Sequence, residues 1–69
     1  MKIRGCRKDE CPPMDLLLEA DPSEQLVREY LHRGECFIAE DNEEIAGVYV
    51  LLPTRPGAAE IVNIAVKAS

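Results

Sequence analysis

The spacing of apolar residues changes twice along the chain. Residues 3–6 alternate weakly between apolar and polar, which predicts a short first strand closed by the charged segment Arg7-Lys8-Asp9-Glu10. Helical spacing follows. Asp9 is the expected N-cap, and Pro12 and Pro13 suit only a first turn, where their missing N–H donors would have no intrahelical partner anyway. The first helix is expected over 11–20, burying Met14, Leu17 and Leu18. Asp21-Pro22-Ser23-Glu24 repeats the start signal, with Asp21 as cap, Pro22 at the first helical position and Glu24 returning the capping-box contact. The second helix is expected over 22–33, with Leu26, Val27, Tyr30 and Leu31 on one face. Gly34 follows where a left-handed terminal residue is expected, and the basic last turn suits the negative end of the helix dipole.

After Gly34 the pattern becomes that of strands. Runs at 36–40 and 45–52 flank the polar turn Asp41-Asn42-Glu43 and read as an antiparallel hairpin. Pro53-Thr54-Arg55-Pro56-Gly57 predicts a loop, and 59–66 a final strand. The order β-α-α-β-β-β gives an α+β class, a mainly antiparallel sheet with two helices on one face, in one domain over 1–69. The final strand is apolar on both faces apart from Glu60 and Asn63, as in a strand covered on both sides. The sequence runs only three residues beyond it, so its free side and second face are expected to want a partner.

Composition narrows the function classes. At 69 residues the chain lies near the lower limit for folding without a staple or partner, which argues against a large enclosed active site. Mixed charge and 46% apolar residues exclude a disordered tail, and no stretch approaches the ~18 apolar residues of a membrane span. The opening residues lack the apolar run of a secretory signal, so the cytoplasm is the expected compartment. Cys6, Cys11 and Cys36 are odd in number and His32 is the only histidine, which supports neither a disulfide framework nor a four-ligand zinc site; the three thiols are expected reduced. The net charge of -5 is uneven, with +4 in residues 1–8 and -9 in the remainder. Most of the surface therefore repels phosphate, and nucleic acid is not an expected partner.

The opening Met1-Lys2-Ile3-Arg4, the helix-start Asp9, Glu35-Cys36-Phe37-Ile38-Ala39-Glu40-Asp41, Glu44-Ile45-Ala46-Gly47-Val48-Tyr49-Val50 and Ala59-Glu60-Ile61-Val62-Asn63-Ile64-Ala65-Val66 stand together in a familiar order. In that order and spacing the whole chain resembles the amino-terminal half of a GNAT-superfamily N-acetyltransferase. The resemblance implies a first strand, two helices, a hairpin and then the strand that meets acetyl-CoA. It also implies that exposed main-chain groups of that strand, at a bulge, pair with the pantetheine arm, which places Ile64, Ala65 and Val66 at the cofactor. The family's next motif, a Gly-rich loop holding the cofactor pyrophosphate at a helix start, has no counterpart here, since no glycine follows Gly57.

Glu60 matches the position at which histone-acetylating relatives carry a general base, and a carboxylate there would take a proton from the acceptor ammonium. Its alternative is a solvent-facing strand carboxylate or an ion pair with Arg55. Asn63 either binds substrate or satisfies a neighbouring backbone group. Tyr30 and Tyr49 read as packing residues with a wet hydroxyl rather than an acceptor pocket. His32 reads as surface in the last turn of the second helix, the acids Glu40, Asp41, Glu43 and Glu44 as a solvated turn rather than a cation site, and the cysteines as small apolar groups. The expectation is the amino-terminal fragment of an acetyl-CoA-dependent N-acetyltransferase acting on a small-molecule or peptide amine, inactive alone. The competing one is a non-catalytic module that self-associates through its last strand or joins a complementary carboxy-terminal half.

Overall fold

The computed structural model describes residues 1–7 and 9–67; Lys8 of the expected closing segment lies outside them. Six elements follow in the anticipated order: β1 (Lys2–Gly5), α1 (Met14–Ala20), α2 (Glu24–Arg33), β2 (Glu35–Asp41), β3 (Glu44–Arg55) and β4 (Ala58–Val66). They form one antiparallel sheet with spatial order β1-β2-β3-β4.

Both helices start later than expected, for local reasons. Pro13 excludes the helical conformation at the residue before it, so Pro12 stays outside and α1 begins at Met14, with the Pro13 carbonyl accepting from the amides of Leu16 and Leu17 at 3.1 Å. Asp9 caps nothing. The sheet takes Leu16 and Leu17 of the Leu16-Leu17-Leu18 run, leaving Met14 and Leu18 half-buried. At α2 the cap is Ser23, whose side chain accepts from Leu26 N. Asp21 instead accepts from Ser23 N at 3.1 Å, a turn one step upstream, and Glu24 pairs with Arg28 at 2.9 Å rather than closing a capping box. Val27 is buried, whereas Leu26, expected on the same face, is 53% exposed.

Gly34 is extended (φ -114°, ψ -166°), not left-handed. Its requirement is room: a Cβ there would run into the Leu51 carbonyl oxygen of β3 and lie 3.0 Å from the Tyr30 carbonyl oxygen. The absent side chain thus lets the end of α2 turn directly into β2 against the neighbouring strand.

The β2–β3 hairpin turns through Asn42 (φ 52°) and Glu43 (φ 66°), both left-handed as in a type I′ turn. The expected loop at 53–57 is mostly strand. Pro53 pairs with Ala59 and Arg55 with Ala58, with a register shift between them that accommodates proline, so only Pro56 and Gly57 turn.

Leu16, Leu17, Val27, Ile38, Val48 and Val50 make the core between the helices and one sheet face. The other face carries Ile3, a stacked Phe37–Tyr49 pair with centroids 5.1 Å apart, Ile64 and Val66, and no described element covers it. β4, whose composition suits a strand covered on both sides, is an edge strand among the described residues, with Ile64 62% and Val66 76% exposed. At the opposite edge Arg4 clamps β1: its guanidinium donates to both carboxylate oxygens of Glu10 at 2.7 Å and to Glu40 at 2.8 Å. No helix of the described residues is long and apolar enough to cross a membrane.

Candidate functional site

The register of β3 against β4 shifts between Val50↔Asn63 and Leu51↔Ile61, which leaves Val62 as an extra, unpaired residue. This is a β-bulge, a device that bends a strand and re-aims the residues beyond it. Past it, Lys67 N donates to Ala46 O at 2.8 Å, and main-chain pairing alternates from there. Asn63 and Ala65 therefore face β3 with their amides and carbonyls, while Ile64 and Val66 turn theirs outward to the open edge. That edge presents an extended backbone with two residues' donors and acceptors free to add a strand-like ligand.

Asn63 is the one buried polar side chain among the described residues, 5% exposed. Its Nδ2 donates to the Leu17 carbonyl at 3.1 Å and to the Tyr30 hydroxyl, tying β4 to both helices. Its Oδ1 is buried without a partner. Such an acceptor is costly to leave unmade, which marks it as a place where an N–H donor would be favoured. Asn63 also lines a cavity of about 250 Å³ with Ala20, Ile61, Val62 and Ile64.

Glu60 lies on β4 opposite Leu52, two residues ahead of the bulge and exposed; among the described residues it forms no ion pair with Arg55. The structure thus groups Asn63, Tyr30 and the outward edge of Ile64 and Val66, and leaves Glu60 upstream of them on the same strand. Tyr30 packs against the core as its helical spacing predicts, but its hydroxyl accepts from Asn63 rather than facing water, which spacing alone does not report. Tyr49 does pack, on Phe37, and His32 is exposed. Among the described residues no group of three or more His, Cys, Asp or Glu side chains is placed to hold a metal ion.

Comparison with solved structures shows whose fold this is. A GNAT family acetyltransferase from Elizabethkingia anophelis with acetyl-CoA bound superposes with a TM-score of 0.90 at 46% identity, over 94% of this chain and 42% of that one. A Bacillus subtilis acetyltransferase in complex with CoA gives 0.85 at 56% identity, over 96% of this chain and 43% of that one. The chain is the amino-terminal part of a GNAT-family fold. In sequence the chain is also 67% identical over 55 residues to YvbK, an uncharacterized N-acetyltransferase of Bacillus subtilis, across 80% of its own length and 36% of YvbK. No family model matches. The 69 residues accordingly span well under half the length of these GNAT relatives.

Proposed function

We propose that these residues form the half of an acetyl-CoA-dependent N-acetyltransferase that meets the pantetheine arm and the acceptor amine, with a primary amine as acceptor. The observation that carries this reading is the bulge at Val62 followed by the outward main-chain groups of Ile64 and Val66, in a chain closely similar to proteins solved with acetyl-CoA and with CoA. An extended amide-bearing arm suits such an edge, because it supplies alternating donors and acceptors as an added strand would. Ile64 and Val66 would pair with the arm, and Ala65 between them fixes their spacing against Val48.

The bound acetyl-CoA would supply an activated acyl carbon as a thioester. Asn63 would orient the acceptor by receiving an amine N–H at Oδ1. Glu60 would take the proton that converts the acceptor ammonium to a neutral amine, directly or through water. Attack then forms the C–N bond and breaks the C–S bond, the sulfur leaving with a proton as the free thiol. Residues that hold the cofactor phosphates belong to the larger part of the GNAT fold that these 69 residues do not span, so the stretch alone is expected to turn over no substrate. The three unpaired thiols favour the cytoplasm as its compartment.

A second reading rests on the bare apolar face of the sheet and the open β4 edge, where Ile3, Ile64 and Val66 are more than half exposed. Association with the complementary half, or with a second copy, would cover them. Light scattering separates the two: a monomer at high concentration rules out self-association and leaves the complementary half as the cover.

The test of the first reading is an amide proton–nitrogen correlation spectrum of the labelled 69-residue chain titrated with acetyl-CoA. Saturable shifts centred on Asn63 to Lys67 are expected. A dispersed spectrum with no response there up to millimolar acetyl-CoA would overturn the pantetheine edge.

A further inference from the structure

Cys6 and Cys36 stand at the other edge of the sheet, remote from the β4 edge. Register pairs Lys2 with Glu40 through Gly5 with Phe37, and Cys6 N donates to Cys36 O at 2.9 Å, so the two cysteines are the next directly opposed pair. That bond sets the two cysteines opposite one another just past the end of the β1–β2 ladder, and directly opposed antiparallel residues hold their Cα atoms roughly 4.5–5.5 Å apart, within the roughly 4.4–6.8 Å that a disulfide spans. Both side chains lie on the helix-facing side and pack half-buried against the core, close enough that each thiol perturbs the other. A groove lined by Cys6, Glu10, Pro12, Leu31, His32 and Cys36 opens onto them. Cys11, by contrast, is exposed.

We propose that Cys6 and Cys36 are a dithiol site that closes to an intramolecular disulfide by exchange with a small-molecule disulfide, locking β1 to β2 around both helices. Two steps balance the reaction. The Cys6 thiolate attacks one sulfur of the reagent, forming a mixed disulfide and releasing one small thiol that takes up the Cys6 proton. The Cys36 thiolate then attacks the Cys6 sulfur, forming the protein disulfide and releasing a second small thiol that takes up the Cys36 proton. The protein pair is oxidised and the reagent reduced, with two electrons exchanged. Burial pushes both thiols up, but Cys36, more deeply set and reinforced by the neighbouring Cys6, rises to about 12, so Cys6 enters first. Excess small thiol reverses both steps.

The site is distinguished from chance pairing by loop length. In an unfolded chain Cys6 meets Cys11 far more often than Cys36, because the shorter loop has the smaller closure entropy. The experiment treats the 69-residue chain with oxidised glutathione at pH 8, alkylates the remaining thiols and maps tryptic peptides, in buffer and in 8 M urea. In buffer the expected product has lost two hydrogens, links the peptide 5–7 to 34–67 and carries an alkylated Cys11; in urea Cys6–Cys11 pairing dominates. Cys11→Ser is expected to leave the native product unchanged, and Cys36→Ser to stop at a glutathione adduct on Cys6. Cys6–Cys11 linkage in buffer, intermolecular dimers, or adducts that persist with both Cys6 and Cys36 present would each overturn the proposal. The test reads only the cysteines, so it stands or falls independently of acetyl-CoA binding.

Discussion

The side-chain amide of Asn63 donates to the hydroxyl of Tyr30, joining the strand that carries the bulge to the helix that covers it. The same amide reaches the Leu17 carbonyl, which also accepts from Asp21 N at 3.0 Å and so keeps a partner if Asn63 is lost. Position along β4 is therefore set by one buried polar contact to each helix. Tyr30→Phe is expected to lower stability by about 1 kcal/mol, and Asn63→Ala by about 1–3 kcal/mol, both measured by urea unfolding. An unchanged midpoint for both variants would show that apolar packing alone fixes the strand.

Gly34 and Gly5 make a matched pair. A Cβ at Gly34 meets the backbone of β3, which cannot yield without moving the sheet, whereas one at Gly5 meets nothing within 4 Å. Gly34→Ala is expected to cost more than ~2 kcal/mol, and Gly5→Ala to be neutral or to stabilise by up to ~1 kcal/mol. Equal effects in thermal unfolding would refute the steric account.

Glu43 occupies a left-handed conformation that a side chain tolerates poorly. Glu43→Gly creates the Asn-Gly pair favoured in this turn, and the expected gain is about 1 kcal/mol, read as a higher urea midpoint. A lower midpoint would mean that the turn is held by contacts of the glutamate itself.

The clamp at Arg4 predicts an acid limb. Hydrogen bonds from the Arg4 guanidinium, then from Arg7 N, hold the Glu10 carboxyl down at about 2 against an ordinary 4.5. The unfolded state therefore binds this proton first as pH falls, so the clamp's contribution is complete above about 4.5 and is lost as pH drops toward 2. Unfolding midpoints followed from pH 7 to pH 2 are expected to decline through that window, and Glu10→Gln to lower the neutral-pH midpoint and flatten the decline. A decline of equal depth in the variant would assign the acid limb to other carboxylates.

Element order and the hairpin were legible because two short apolar runs, 36–40 and 45–52, flank a polar turn and leave few alternatives. Boundaries failed where one residue type served two local roles. Asp21 and Ser23 are both good caps, and only the helix axis chosen by Val27 and Tyr30 decides between them. Gly34 was placed correctly as a helix end, but its reason, the carbonyl of Leu51, belongs to a strand seventeen residues on and leaves no local trace. At the site, the final strand was legible from its apolar run, but that run reads as a strand covered on both sides, and its place at the sheet edge was not legible. Nor was the alternation that turns Ile64 and Val66 outward, because it depends on pairing rather than side-chain identity.

Strand order in space equals strand order in the chain. The Asn42-Glu43 and Pro56-Gly57 turns join β2, β3 and β4, so each can zip onto its predecessor at small closure cost, while β1 must wait for a return across residues 6–34. The three later strands are therefore expected to order first, and β1 to dock last and fray first. In native-state hydrogen exchange the amides of β1 should open at lower free energy than those of β3, which is paired on both sides.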